Sequence, residues 1–524
     1  MEKTQNPRNF ISKGGFWVKP FSEKIFLQLD MPSEDAPVSD RERILQALEV
    51  LGYENVTVPL EVLRLLYPNC RRWDYRITVT LVWREPGWVM TSVEPGDTTG
   101  CHYGFAVDYG STTIVMQLVD LISGAVIDEK KTVNGQVKYG TDILTRITYA
   151  MEAPEHRQEL QKATSDTINE LMAQLAEENG IEKDSCPVMI LSGNTTMIHF
   201  LLMLDAWTVF ASPYAPVTLD PGSFFGWELG LDFGGVVYMI PAASNYVGGD
   251  IVSGLLRLDI HKQDEIRMFF DIGTNGELVI GNSQWMLAGA GAAGPALEGY
   301  ISRYGMRAAP GAVDTVKIVD GQLKITTIGG EAPRGICGSG IIDLLAQMRL
   351  HGWMDISGQL NPQASPSIIR LPEEDQYAVV YAQGEQPLFF TQQDIHQYLD
   401  TKAAAYTMIE CLLEAAGCSA GDIAQCWLSG AFTAHSDLDA AITIGMFPDL
   451  ERSRYTCIAN TSLEGARILL LNRDRWEEAR TLAQQIYCVQ FASIPDFLVR
   501  MQAAKFVPHT DMSRYPSIQA RLRK

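Results

Sequence analysis

Behind Ser39-Asp40, apolar residues recur at Ile44, Leu45, Leu48 and Leu51. That spacing lines one face of a helix, and Gly52 supplies its stop. Pro59 can open a second helix at its first position, with Leu60, Leu63 and Leu66 on one face. The period then changes to two. Ile77, Val79, Leu81 and Trp83 alternate with polar residues across 76–83, which predicts a half-buried strand. Glu94-Pro95-Gly96-Asp97 is a turn cluster and marks a boundary near residue 99. Beyond it come short apolar runs at 105–108, 114–119, 188–191, 268–271 and 278–280, each predicting a buried strand, with a further strand after Ser123-Gly124. Leu160, Ile168, Leu171, Met172 and Leu175 place an amphipathic helix over 160–178, stopped by Asn179-Gly180.

Two of these apolar strands run into the same kind of turn. Asp108-Tyr-Gly-Ser-Thr-Thr113 follows the first and Asp271-Ile-Gly-Thr-Asn-Gly-Glu277 follows the other, 163 residues later. Glycine lets the backbone turn tightly, so that successive N–H groups and the following hydroxyls can face a phosphate. An aspartate there suits Mg²⁺, held through water, or the attacking water itself. An ordinary hairpin would explain either loop alone, since Asn275-Gly276 is a favoured two-residue turn. Two such loops in corresponding places suit two related lobes of one enzyme. After them, Trp427-Leu-Ser-Gly-Ala-Phe432 offers a strand ending in Gly430-Ala431, where small residues admit a flat ring.

Other motifs compete less well. Gly289-Ala-Gly-Ala-Ala-Gly294 spells a dinucleotide fingerprint with Asp314 at a suitable distance, yet a run of small residues also suits close packing. No G-x-x-x-x-G-K-[ST] is present. His435-Ser436-Asp437 are contiguous and cannot converge as a triad, and no Cys/His set has zinc spacing.

Lys plus Arg number 42 against 63 Asp plus Glu, a net charge of −21 over 524 residues. Such a chain repels a phosphate backbone, which argues against nucleic acid as a partner. At 46% hydrophobic the chain is globular. Its nine cysteines form no C-x-x-C, and no long apolar run or leader is visible, so a reducing, cytoplasmic location without membrane contact is expected. Cys411 and Cys418 are expected two turns apart on one helix, and the basic tail from Arg514 is expected as a frayed end.

The order Asp108-x-Gly-Ser-Thr-Thr, Asp271-x-Gly-Thr-Asn-Gly-Glu and Ser429-Gly-Ala-Phe resembles the superfamily of sugar kinases, heat-shock chaperone ATPases and actin. Within it, Tyr139-Gly-Thr-Asp142, Gly193-Asn-Thr-Thr-Met197, Val247-Gly-Gly-Asp250, Ala293-Gly-Pro-Ala-Leu-Glu-Gly299, Gly335-Ile-Cys-Gly-Ser-Gly340, Lys402-Ala403 and Ala459-Asn-Thr-Ser-Leu-Glu-Gly465 resemble landmarks of the ATP-dependent reductive activators of corrinoid proteins. So do Pro32-Ser-Glu-Asp35, Ser39-Asp40-Arg41 and Gln393-Asp-Ile395. The resemblance implies an α/β fold: a two-lobed actin-like ATPase with ribonuclease-H-like lobes and a small N-terminal α/β domain. The divisions expected are 1–99, 100–255 and 256–524.

It also implies ATP with Mg²⁺, with Asp108 and Asp271 as catalytic and metal-organising residues. Nucleotide contacts are expected from Gly110, Ser111, Thr112, Thr113, Asn194, Asp250, Gly273, Thr274, Asn275, Gly276 and Glu277, and further from Gly294, Glu298, Gly338, Ser339, Gly430 and Ala431. Members of that family typically begin with a 2Fe–2S ferredoxin domain. This sequence starts at what looks like the middle domain, with no cysteine before Cys70, so no iron–sulfur cluster is expected in it. The implied partner is a corrinoid protein of a methyltransferase system, with electrons from a separate ferredoxin- or flavodoxin-type donor. The first 99 residues are expected to aid docking or homodimerisation. The competing readings are a small-molecule kinase using Asp250 or Asp271 as base, and a nucleotide-responsive scaffold.

Overall fold

The computed structural model describes residues 10–11, 17–182, 185–273, 275–291, 302–384, 386–430 and 437–523. The chain forms two compact units, one of residues 1–258 with 462–485, the other of 259–461 with 486–524.

In the first unit, a four-stranded sheet of Ser22–Gln28 (β1), Val56–Thr57 (β2), Arg76–Arg84 (β3) and Gly87–Pro95 (β4) carries the helices Asp40–Val50 (α1) and Leu60–Arg72 (α2). Ser39 caps α1 through its side chain, and Pro59 stands at the N-cap of α2, one place before its expected position. Ile44, Leu48, Val62, Leu66, Ile77 and Leu81 share one apolar core. The strand β3 alternates as expected but is enclosed on both faces. Its polar face is satisfied inside, where Thr78 donates to the Gly96 carbonyl (2.6 Å) and Ser92 donates to Thr80 (2.9 Å). This module is no free-standing unit. The Phe21 ring packs 4.2 Å from Tyr238 and 5.6 Å from Trp476, and the Tyr238 hydroxyl donates to the Trp83 carbonyl.

The main sheet of this unit is built on Tyr103–Tyr109 (β5), Thr113–Asp120 (β6) and Val126–Val133 (β7), an antiparallel meander. The helices Ile143–Glu152 (α3) and Pro154–Asn179 (α4) carry the chain across to Val188–Gly193 (β8), which pairs parallel with β5. Proline at its first turn starts α4 earlier than the apolar pattern shows, and Gly180, at φ +62°, ends it where expected. After helix Thr195–Leu201 (α5) come Ser223–Phe225 (β9) and Val236–Met239 (β10), for a strand order β9-β10-β8-β5-β6-β7, and then helix Gly249–Leu258 (α6). Residues 462–485, expected in the second lobe, cluster here. Gly465 shows why: a Cβ on it would lie 2.0 Å from the Ser253 carbonyl oxygen, so helix Thr461–Leu471 meets α6 backbone to backbone.

The second unit repeats five strands of this plan, and its sixth strand lies on the opposite edge. Arg267–Ile272 (β11), Gly276–Gly281 (β12) and Met286–Gly291 (β13) form a meander, and Gln425–Ser429 (β14) pairs parallel with β11. With Tyr455–Cys457 (β15) and Ile486–Cys488 (β16) the order is β15-β14-β11-β12-β13-β16. Gly289 and Gly291 lie within β13. Side chains there would strike the Phe491 ring and the Met408 sulfur, so these glycines serve packing.

Two expectations fail in this unit. Helix 392–415 ends before Cys418, which follows a turn at Gly417 (φ +67°), so the two thiols do not share a helix. The tail is no frayed end. Tyr515 and Ile518 are fully buried, Arg514 pairs with Glu410, and Ser517 donates to Asp449. Among the described residues no helix is long and apolar enough to cross a membrane.

Candidate functional site

Asp108 is the next-to-last residue of β5 and faces Val115 across the first hairpin. The Gly110 N–H donates to the Thr113 carbonyl (3.1 Å), so this amide closes the turn and is not offered outward as expected. A Cβ on Gly110 would lie 2.5 Å from that carbonyl oxygen, which requires glycine here. The loop carbonyls are all held from one set of residues: Gly110 by the Asn134 amide (2.9 Å), Ser111 by Arg146 (2.7 Å) and Thr112 by the Asn134 N–H (2.9 Å). In a trans peptide the N–H points opposite to the C=O. The N–H groups of Ser111, Thr112 and Thr113 therefore face away from Asn134 and Arg146. Successive amides so directed are of the kind that can receive an anion.

Beside Asp108 lies a chain of hydroxyls. Ser462 donates to the Asp108 carboxylate (2.8 Å), Ser192 bonds Ser462 and Ser253 (2.9 Å each), and Ser253 donates to the Asp250 carbonyl (2.8 Å). Asp250 opens α6 and accepts the Ile251 N–H (2.9 Å). Burial first, and the Asp108 charge second, push its carboxyl up to about 7. The folded protein thus binds more protons than the unfolded chain between the ordinary value of 3.8 and about 7. The contribution of this group to stability falls as pH rises through that window. Asp250→Asn is accordingly expected to flatten the decline in melting temperature between about pH 5 and 7.5, measured by differential scanning fluorimetry. A variant whose profile overlays the wild type would refute this.

The second hairpin, described within its own unit, follows the same plan. Asp271 pairs with Glu277 across the hairpin and with Ser429 on the parallel strand, as Asp108 pairs with Ser192. The Gly273 N–H donates to the Asn275 carbonyl (2.9 Å), again closing the turn. Gly276 starts β12, and Glu277 is buried. Gly430 has φ +97°, and a Cβ on it would stand 2.1 Å from the Ile272 carbonyl oxygen. Backbone geometry alone therefore demands glycine where β14 meets the Asp271 turn.

Asn194 follows the end of β8, and a Cβ on Gly248 would meet both its Cα (2.4 Å) and an Asp250 carboxylate oxygen (2.8 Å), so it stands close to Asp250. The Asn194 side chain caps α5 by accepting the Met197 N–H (2.9 Å), a local task. Gly338 and Ser339 open the helix 338–350, with the Ser339 hydroxyl against the Cys337 sulfur (3.3 Å). Thr274, Gly294, Glu298 and Ala431 lie outside the described residues. Ser192, Ser253, Ser462 and Arg146 were not singled out by the motifs. For Ser462 a signal existed, because it sits in the Asn460-Thr-Ser stretch already noted.

Three regions of the chain match models of one family: the RACo linker region over 12–100, the RACo middle region over 103–263, and the C-terminal domain of RACo, the ASKHA domain, over 265–519. The corrinoid activation enzyme RamQ of Eubacterium limosum is 30% identical over 409 residues, covering 76% of this chain and 69% of that protein. The [Co(II) methylated amine-specific corrinoid protein] reductase of Methanosarcina barkeri is 26% identical over 268 residues, covering 47% and 46%. A solved structure of a reductive activator for corrinoid, iron–sulfur protein superimposes with a TM-score of 0.85 at 34% identity, covering 95% of this chain and 81% of that one. With five strands in the same order in both main sheets and each aspartate set in the same register, the chain belongs to the RACo family of reductive activators of corrinoid proteins.

Proposed function

We propose that this chain is an ATP-hydrolysing activator that helps return a corrinoid protein of a methyltransferase system from Co(II) to Co(I). The observation that carries the reading is the repeated register, Asp108 opposite Ser192 and Asp271 opposite Ser429, with carbonyl-anchored amides at the first turn. Ser111, Thr112, Thr113 and the Asp271 turn would hold the phosphates, and the Gly430-Ala431 segment would border the adenosine. Asp108 and Asp250 are close enough to disturb each other's charge, and with neighbouring hydroxyls they form a hard-oxygen set suited to Mg²⁺. Bound there, Mg²⁺ would neutralise phosphate charge. Asp108 and Asp271 would orient metal and attacking water.

Reducing Co(II) takes one electron, which comes from a separate ferredoxin- or flavodoxin-type donor. Moving an equilibrium from 1:99 to 99:1 takes roughly 5.5 kcal/mol. For one electron that is about 240 mV at ~59 mV per decade. The ATP cycle supplies this by favouring a partner state whose cobalt is easier to reduce. Anaerobic mixing of chain, donor, Co(II) corrinoid protein and ATP is expected to yield the Co(I) absorption band only when ATP is hydrolysed. The same yield with a non-hydrolysable analogue would overturn the proposal, as would a phosphorylated small-molecule product. A homodimer belongs to this reading and is checked by light scattering.

The chain itself is expected to bring no cluster. Burial pushes the thiols of Cys70 and Cys411 up to about 11 and Cys426 up to about 12, as for inert core thiols. Iron and sulfide assays after anaerobic purification are expected to read near zero, and near-stoichiometric iron would contradict this.

A further inference from the structure

We propose that Arg146 is a positioning residue for the nucleotide phosphates: it ties the Ser111 carbonyl back so that the Thr112 amide faces outward, and it places a fixed positive charge behind the loop. The inference rests on reading the Asp108 hairpin as the phosphate loop.

Arg146 lies on α3 and is fully buried. Its Nε donates to the Gly140 carbonyl (2.8 Å), and its Nη1 donates to the Ser111 carbonyl (2.7 Å) and, more weakly, to Gln136 Oε1 (3.4 Å). Its Nη2 is buried without a partner. No carboxylate pairs with it among the described residues. Asp142 acts on it only through its field, and spends its oxygens on Thr145, capping α3. An uncompensated guanidinium in a dry interior is costly, and arginine does not escape by losing its proton. A fold that keeps one directly behind a row of outward-facing amides gains when an anion sits in front of that row. The surroundings hold the arrangement rigid. Gln136 Nε2 donates to Thr164 (2.8 Å) and to the Leu160 carbonyl (3.0 Å), and Asn134, which anchors the other two loop carbonyls, accepts the Gln136 N–H (3.0 Å). Such a network fixes one loop conformation, and among the described residues Arg146 Nη2 is its one buried donor without a partner.

A purely structural clasp would hold the loop without regard to ligand charge, and the two roles separate by ligand. The full chain is titrated with Mg·ATP and with adenosine by calorimetry. Arg146→Met is expected to weaken ATP at least about tenfold, a change of ~1.4 kcal/mol, while adenosine binding stays within about twofold. In hydrolysis, KM for ATP is expected to rise while kcat holds within about twofold, as for binding shared by ground and transition states. Arg146→Lys keeps the charge but not the fork between Gly140 and Ser111. It is expected to recover most of the ATP affinity, remaining about threefold weak. Should the methionine variant lose its thermal transition, Arg146→Lys alone decides by the same ATP-to-adenosine comparison. Equal losses for ATP and adenosine, or no loss for ATP, would overturn the inference. A wild-type chain that binds adenosine but gains nothing from the phosphates would instead overturn the underlying reading.

Discussion

Replacing Asp108 by alanine is expected to lower ATP hydrolysis by about 10²–10³-fold while the chain stays folded. Asp108 is the next-to-last residue of β5, two positions before the Gly110 turn, and its carboxylate accepts a hydrogen bond from Ser462. Removing it takes away a charge set where metal and water must be organised, which binding elsewhere cannot replace. Folding suffers less, because Ser462 keeps its bond to Ser192. Asp108→Asn separates charge from shape. It preserves an acceptor for Ser462, yet it is expected to lose most of the activity too. Losing the Asp108 charge also removes the second cause of the high Asp250 value. The Asp250 carboxyl is then expected to titrate lower, though burial still holds it above the ordinary range, and carboxyl resonances in labelled protein would report it. Full hydrolysis in the alanine variant would remove Asp108 from the proposed machinery, and a rise in the Asp250 value would contradict the electrostatic account.

The features readable beforehand are those whose chemistry is local. An apolar run, an aspartate and a glycine within six residues suffice to describe a hairpin, and both Asp hairpins stand where the pattern put them. The same holds for Ser39 as a cap and Gly180 as a stop. What escaped detection depends on partners far along the chain. Ser462 meets Asp108 across 354 positions and Arg475 meets the Leu256 carbonyl across 219, which no window of sequence relates. Tyr515 and Ile518 are too few to show a period, so a buried tail read as solvated. Gly430 illustrates a subtler limit. Its smallness was read as room for a flat ring, but the Ile272 carbonyl and a φ of +97° already require glycine. Gly110 and Gly273 show the converse, since their type announces a tight turn but not that the turn itself uses their amides.

Lys402→Met is expected to cost about 3–5 kcal/mol of stability, since it strips three buried carbonyls of their partner. Lys402 lies in helix 392–415 and is fully buried. Its Nζ donates to the carbonyls of Phe506 and Pro508 (2.6 Å each) and to that of Ala504, so all three ammonium hydrogens are used. Burial pulls its pKa well below the ordinary lysine range, the mark of a charge far from water. Arg349 donates to the Val507 carbonyl (2.9 Å), so two cations hold four of the five backbone oxygens over 504–508. The stretch cannot retreat, since a Cβ on Gly445 would already stand 2.1 Å from the Pro508 oxygen. Methionine matches the length of the lysine stem but donates nothing, and it leaves three buried carbonyls without partners. The loss is therefore of satisfied oxygens and not of volume, which sets it apart from a cavity. Urea unfolding followed by fluorescence should show a lower midpoint with an unchanged slope. Trypsin should cut earlier at Arg514 and Arg521, because the chain runs on from residues 504–508 into the helix 516–522. A loss below about 1 kcal/mol, the worth of one ordinary hydrogen bond, would show that water or a shifted tail satisfies those carbonyls in the variant.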